Sequence, residues 1–176
     1  AVTGSGGEGA SETKNFRVGE TLPTTDRTMK FRVTVRDNRP QDGTVAGSVG
    51  FADVNIRSVA AAGPFKVKAP NGGESWAAGS SQTITWDVAG TNSAPISTAN
   101  VKISISYDSG KTFAEILANS VPNTGTATVT LPGNVSKTAR VRIEAVGNVY
   151  YDISDADFTT TAATDSSAVL ISAVVN

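Results

Sequence analysis

Apolar and polar residues alternate along two stretches in the middle of the chain. In residues 82–88 the apolar positions are Ile84, Trp86 and Val88, and in residues 101–107 they again fall on every second residue. A period of two is typical of a strand with one face in a core and the other in water. Both stretches therefore predict β-strands, with Trp86 as a core anchor.

Further short strands are separated by turns rich in Gly, Pro, Asn and Asp. The seven predicted strands of this region are residues 65–68, 82–88, 101–107, 113–117, 126–131, 139–146 and 156–161. Seven strands form a complete immunoglobulin-like or fibronectin-III-like set. The sequence thus predicts an all-β fold with an antiparallel β-sandwich over residues 65–161, in which Trp86 packs against Ile103, Val129 and Val141.

Residues 16–60 contain two more strands but too few to enclose a core, so they predict an incomplete sandwich, or half-domain. Apolar residues alternate along both strands, and an irregularity is expected near residues 52–53. The predicted apolar positions, which are open to an added strand, are Met29, Phe31, Val33, Val35, Phe51, Val54 and Ile56.

The carboxy-terminal residues 167–176 are apolar on both faces of a strand, as in strands buried on both sides. The predicted interface residues are Val169, Leu170, Ile171, Ala173, Val174 and Val175. A free segment of this kind promotes aggregation, which favours its burial as a donated extra strand. Residues 1–15 are rich in Gly, Ser and Glu and predict a flexible or extended arm.

The composition of the chain excludes several classes of functional site. The 176 residues include no His and no Cys, and the net charge is −1. The usual zinc sites, Ser-His or Cys-His nucleophile pairs and disulfides are therefore excluded, so we expect no enzyme and no cofactor. The charge predicts no nucleic-acid partner, and no apolar run predicts a membrane span. Because no basic-then-apolar leader precedes Ala1, we expect that an export signal was removed or not included.

Residues 70–113, PNGGESWAAGSSQTITWDVAGTNSAPISTANVKISISYDSGKTF, resemble the immunoglobulin-like domains found carboxy-terminal to secreted bacterial reprolysin-like zinc metalloproteases. The resemblance extends through PNTGTATVTLP and TARVRIEAVGNVYYDISDADFTT and back to GETLPTTDRTMKFRVTVRDNR, and so covers residues 19–161. Its PxxGExWxxGxxxTIxW pattern is also similar to fungal Ser/Thr-rich cell-wall proteins. The resemblance implies secretion and an accessory role. It does not imply peptidase activity, because no HExxH motif is present.

A short motif, SxDxGxTF, follows the strand at residues 101–107. Its defining residues are Ser106, Asp108, Gly110, Thr112 and Phe113. This Asp-box pattern predicts a hairpin turn in which Asp108 accepts hydrogen bonds from turn amides, Gly110 supplies a positive φ and Phe113 returns to the core. A ligand contact is the less favoured interpretation.

Two sets of charged residues are candidates for binding. Asp152, Asp155 and Asp157 are a weak calcium candidate, and a polar turn is the favoured interpretation. Short cationic rows alternate with apolar residues, which is typical of solvent-facing strand positions: Lys30, Arg32, Arg36, Arg140 and Arg142. A polyanion-binding surface is disfavoured here because no aromatic residues interleave with the charges.

Together these patterns favour a secreted, surface-located structural subunit that polymerises head to tail, its carboxy-terminal strand completing the amino-terminal half-domain of a neighbour. One alternative is an accessory module of a larger secreted metalloprotease that binds substrate, a glycan or a cell surface. Another is a monomer in which the terminal strand folds back onto its own half-domain.

Overall fold

The computed structural model of the chain describes residues 23–37 and 47–163. All regular elements within these ranges are strands. The chain divides into two compact units between Ala60 and Ala61. In chain order the strands are β1 (Arg27–Arg36), β2 (Val49–Ser58), β3 (Lys66–Ala69), β4 (Ser75–Ala77), β5 (Ser81–Asp87), β6 (Asn100–Ser106), β7 (Glu115–Pro122), β8 (Thr126–Thr130), β9 (Ser136–Ala145), β10 (Tyr151–Ile153) and β11 (Phe158–Thr161).

The described part of the first unit is an antiparallel hairpin of β1 and β2. Pairing runs without a shift from Arg27 opposite Ser58 to Arg36 opposite Val49. The irregularity expected near residues 52–53 is therefore wrong. In this register Arg32 is opposite Asp53, and the two side chains form a two-pronged ion pair across the strands.

In this register Phe51 does not lie on the apolar face that the sequence predicts for it. Residues that are directly opposite in an antiparallel pair share a face. Val54 pairs with Phe31, whereas Phe51 pairs with Thr34. The sequence grouped Phe51 with Val54 and Ile56, but the hairpin places Phe51 on the opposite, charged face.

The second unit is a two-layer β-sandwich. One sheet has the strand order β3-β5-β8, and the other has the order β4-β11-β9-β6-β7, with β10 also paired to β9. This confirms the predicted all-β fold, and the strand order suits an immunoglobulin-like sandwich. The buried cluster between the sheets is formed by Val67, Ile84, Trp86, Val101, Ile103, Ile105, Val129, Leu131, Ala139, Val141, Ile143 and Phe158.

Alternation explains how the strands build this core. On β9 the residues Val141 and Ile143 are fully buried. Arg140 and Arg142, which alternate with them, lie on the other side of the sheet and are half-buried. Trp86 is 3% exposed and belongs to the same cluster as Ile103, Val129 and Val141, which confirms its prediction as core anchor.

The last strand of the sandwich is split. β10 pairs with the second half of β9, at Tyr151 opposite Glu144, and β11 pairs with the first half, at Phe158 opposite Ala139. The sequence predicted only the second piece. Trp76 lies in β4, which pairs in parallel with β11, and its ring centroid is 5.2 Å from that of Phe158.

Candidate functional site

The apolar face of the β1–β2 hairpin is exposed. It carries Met29, Phe31, Val33 and Val35 from β1 and Ala52, Val54 and Ile56 from β2. The exposed fraction is 42% for Phe31, 51% for Val54 and 68% for Val35. Burying a side chain of this size stabilises a protein by about 1.5–3 kcal/mol, so this apolar face is a candidate docking surface.

Six of the seven predicted acceptor residues share this face, and Phe51 does not. The predicted donor residues Val169, Leu170, Ile171, Ala173, Val174 and Val175 lie outside the described residues. The predicted arm at residues 1–15 also lies outside them.

The cationic face of the hairpin is the opposite one. From β1 it carries Lys30, Arg32 and Arg36, and from β2 Arg57, Asp53 and Phe51. The Arg32 guanidinium lies 4.2 Å from the centroid of the Phe51 ring, and its Nε and Nη2 donate to the two oxygens of Asp53 at 2.6 and 2.8 Å. This hydrogen bond raises the pKa of Arg32 and lowers the pKa of Asp53. Phe51 is an aromatic residue within a cationic row, which the sequence pattern alone did not reveal.

Three cationic residues on β6 and β9 have acidic partners. Arg140 donates to Asp157 at 2.6 Å and Arg142 lies 2.9 Å from Glu144, which also pairs with Lys102. The hydrogen bond from Arg140, with a second from Ser109, lowers the pKa of Asp157. The positive charges predicted as one kind of row therefore belong to two different environments, and Arg140 and Arg142 of the sandwich each lie beside a carboxylate.

The Asp-box residues form the turn between β6 and β7. Oδ1 of Asp108 accepts hydrogen bonds from Ser106 Oγ (2.6 Å) and the Thr112 backbone N–H (2.9 Å), and Oδ2 accepts one from Thr112 Oγ1 (2.7 Å). Gly110 has the predicted positive φ, 82°. Phe113 does not join the buried cluster; it stacks under Arg142 instead, 4.5 Å from the guanidinium carbon. Because both carboxylate oxygens are used within the turn, the geometry favours a structural role.

Replacing Asp108 by Asn is expected to destabilise the chain at neutral pH and to matter less in acid. Hydrogen bonds, first from Ser106 and then from Thr112, lower the pKa of Asp108 from 3.8 to about 2. The stabilisation is therefore complete above about pH 4 and disappears as the pH falls towards 2. Thermal unfolding of wild type and Asp108→Asn between about pH 6 and pH 2 measures this convergence.

Thr112→Val provides the matched comparison, since it removes one hydroxyl donor and keeps the carboxylate. Its loss of stability should be smaller than that of Asp108→Asn and should fall within the same pH window. A difference between wild type and Asp108→Asn that stays constant with pH would contradict the assigned hydrogen bonds.

The three carboxylates considered for calcium have separate protein partners. Asp152 accepts the Val67 backbone N–H at 2.8 Å, Asp155 accepts Asn71 Nδ2 at 3.0 Å, and Asp157 binds Arg140. Within residues 23–37 and 47–163, no three Asp or Glu side chains are placed to hold a metal ion. The structure thus assigns these residues to loop and strand contacts.

One buried polar cluster, around Asn123, was not predicted from the sequence. Asn123, which follows β7, is 2% exposed. Its Oδ1 accepts the Trp86 indole N–H at 2.9 Å, and its Nδ2 donates to Thr91 Oγ1 (3.1 Å) and the Thr98 carbonyl (3.2 Å). An Asn before Thr-Gly reads locally as an ordinary turn residue, so no sequence signal distinguished it. Its role is structural.

In comparison with known proteins, the chain matches no family model and no curated protein. The described part of the chain contains no helix that could span a membrane. The resemblance to accessory domains of metalloproteases stays a prediction.

Proposed function

We propose that the chain is a non-catalytic, secreted structural subunit that assembles head to tail, with residues 168–175 of one copy added as a strand to the β1–β2 hairpin of the next. The observation that carries this proposal is the exposed apolar face of the hairpin. Three of its side chains, those of Val33, Val35 and Val54, are more than half exposed.

Strand addition suits both the β1–β2 hairpin and the apolar carboxy-terminal segment. A hairpin of two strands is marginally stable alone and gains stability from a further strand or layer on its apolar face. An added strand supplies main-chain hydrogen bonds, and its alternate side chains supply specificity. Val169, Ile171, Ala173 and Val175 alternate in this way and would extend the apolar face. Because donor and acceptor belong to different parts of the chain, the contact repeats without closing.

Complementation between two disabled variants is the test. Deleting residues 167–176 removes the donor, and Val33→Asp places a charge on the apolar face. Each variant alone should be monomeric, while an equimolar mixture should form dimers and nothing longer, because one intact donor meets one intact acceptor. Light scattering after size-exclusion chromatography, over a hundredfold range of concentration, measures these masses, and wild type should grow with concentration.

Thr34→Asp is the matched control. It introduces the same charge one residue further along β1, on the cationic face, and should leave assembly intact. A wild-type chain that is monomeric at every concentration would rule out assembly. If Val33→Asp then lowered its stability, the donor would act within its own chain. If Val33→Asp had no effect, the accessory-module alternative would be favoured.

A further inference from the structure

The cationic face carries more positive than negative charge, although the whole chain has a net charge of −1. Within β1 and β2 this face has four cations, Lys30, Arg32, Arg36 and Arg57, and one carboxylate, Asp53. Asp26, just before β1, lies 3.7 Å from Arg57. Four cations less two carboxylates leave two uncompensated positive charges.

The two uncompensated charges on this face belong to Lys30 and Arg36. Among the described residues, Lys30 and Arg36 form no ion pair, whereas Arg140, Arg142 and Lys102 all do. Exposed cations without partners attract anions over about a Debye length, roughly 8–10 Å at physiological salt. The cationic face therefore presents two unpaired positive charges, Lys30 and Arg36, along one strand; among the described residues, Lys66, Lys111 and Lys137 of the sandwich also form no ion pair.

The cations form a line. Alternate residues on a strand are about 6.6–6.8 Å apart, so Lys30 and Arg36 stand about 20 Å apart, with Arg32 between them. Phe51 is opposite Thr34, at the gap in the row between Arg32 and Arg36, and is 64% exposed. A row of cations along one strand matches an extended polyanion better than a compact anion.

The pair formed by Arg32 and Asp53 is an example, within the hairpin itself, of a carboxylate held on this face. The guanidinium holds a carboxylate through two N–H donors while its central carbon lies 4.2 Å from the centroid of the Phe51 ring. Arginine suits such two-pronged binding of planar carboxylates. Arg32 covers one side of the Phe51 ring, but the side chain is still 64% exposed, so the ring gives an apolar platform for a single sugar ring on its other side. Single-stranded nucleic acid needs several aromatic residues for successive bases.

We propose that the cationic face binds an extended acidic polysaccharide, whose carboxylates contact Lys30 and Arg36 and one of whose sugar rings lies against Phe51. This binding does not rest on the proposed assembly, because it uses the opposite face of the hairpin. Where the chain does polymerise, repeated cationic faces on one particle would raise the apparent affinity.

Binding of the full chain to immobilised polygalacturonate, a carboxylated polysaccharide, tests the proposal. Lys30→Glu/Arg36→Glu should weaken binding by about tenfold or more, since two attractions become repulsions. The matched control Lys111→Glu/Lys137→Glu changes the net charge equally at exposed positions of the sandwich and should change affinity less than about twofold. Phe51→Ala retains every charge and should weaken binding about three- to tenfold.

Equal losses in the two double variants would overturn the site, and so would unchanged binding by Phe51→Ala. Neutral dextran binding as tightly as polygalacturonate would overturn the charge-based recognition. Tighter binding to single-stranded DNA or to vesicles with anionic lipids would overturn the ligand class. Lys30→Gln/Arg36→Gln gives the same test with less repulsion should the reversed variant fail to fold. Measuring the variant lacking residues 167–176 separates this result from assembly: it should still bind.

Discussion

Replacing Trp86 by Ala will destabilise the sandwich by about 3–5 kcal/mol, the usual cost of removing a buried Trp side chain. Trp86 is 3% exposed and lies in β5, the middle strand of its sheet. Its ring belongs to the cluster that both sheets share, so truncation opens a cavity between the two layers. Small domains are stable by only about 5–15 kcal/mol, so the variant will be near its unfolding limit.

Urea unfolding followed by far-ultraviolet circular dichroism measures this loss without relying on the removed fluorophore. Thr83→Ala is the control in the same strand, because Thr83 is exposed and its truncation should cost less than about 1 kcal/mol. Similar losses for the two variants would show that Trp86 does not support the core.

The core was predictable because its apolar residues alternate along the strands, even on β6, where Ser104 and Ser106 between and after them are also buried. Val101, Ile103 and Ile105 on β6 and Val141 and Ile143 on β9 are all buried, as their spacing predicts. A strand with one face in the core selects apolar residues at every second position, so a single sequence shows both the strand and its inward face.

The face of Phe51 was not predictable in this way. The apolar residues Phe51, Val54 and Ile56 change parity between Phe51 and Val54, which suits either a bulge or two occupied faces. Which of them holds depends on the partner strand, where Asp53 meets Arg32. Register is a property of the strand pair, so the sequence of β2 alone does not place the Phe51 ring among the cations.

The ion pairs of the sandwich could not be predicted from the sequence, for a related reason. Arg140 meets Asp157, seventeen residues away along the chain, only because β11 returns beside β9. Local sequence gives the same appearance to this neutralised arginine and to Lys30 on the hairpin. The topology determines which cations have acidic neighbours, and local sequence alone therefore does not identify the candidate binding surface.

Replacing Asn123 by Ala will destabilise the sandwich by about 2–4 kcal/mol, because it leaves buried polar groups without partners. The change removes one acceptor and two donors that join Trp86 in β5 to Thr91 and Thr98 in the following loop. Thr91 and Thr98 are each 4% exposed, so water cannot readily replace the lost contacts. Urea unfolding of the variant at neutral pH measures the effect, with Ser93→Ala, in an exposed part of the same loop, as the control.

A double-mutant cycle with Trp86→Phe tells hydrogen bonding from simple loss of volume. Phenylalanine retains an aromatic ring in the core but lacks the indole N–H that Asn123 accepts. If that bond carries a large part of the loss, Asn123→Ala will cost less in the Trp86→Phe background, by about 1 kcal/mol or more, since the orphaned donor is already gone. Additive effects would mean that Asn123 stabilises the sandwich through Thr91 and Thr98 alone. Coupling would instead show that the core anchor is held in place from a loop, by an amide that the alternating pattern of the strands does not predict.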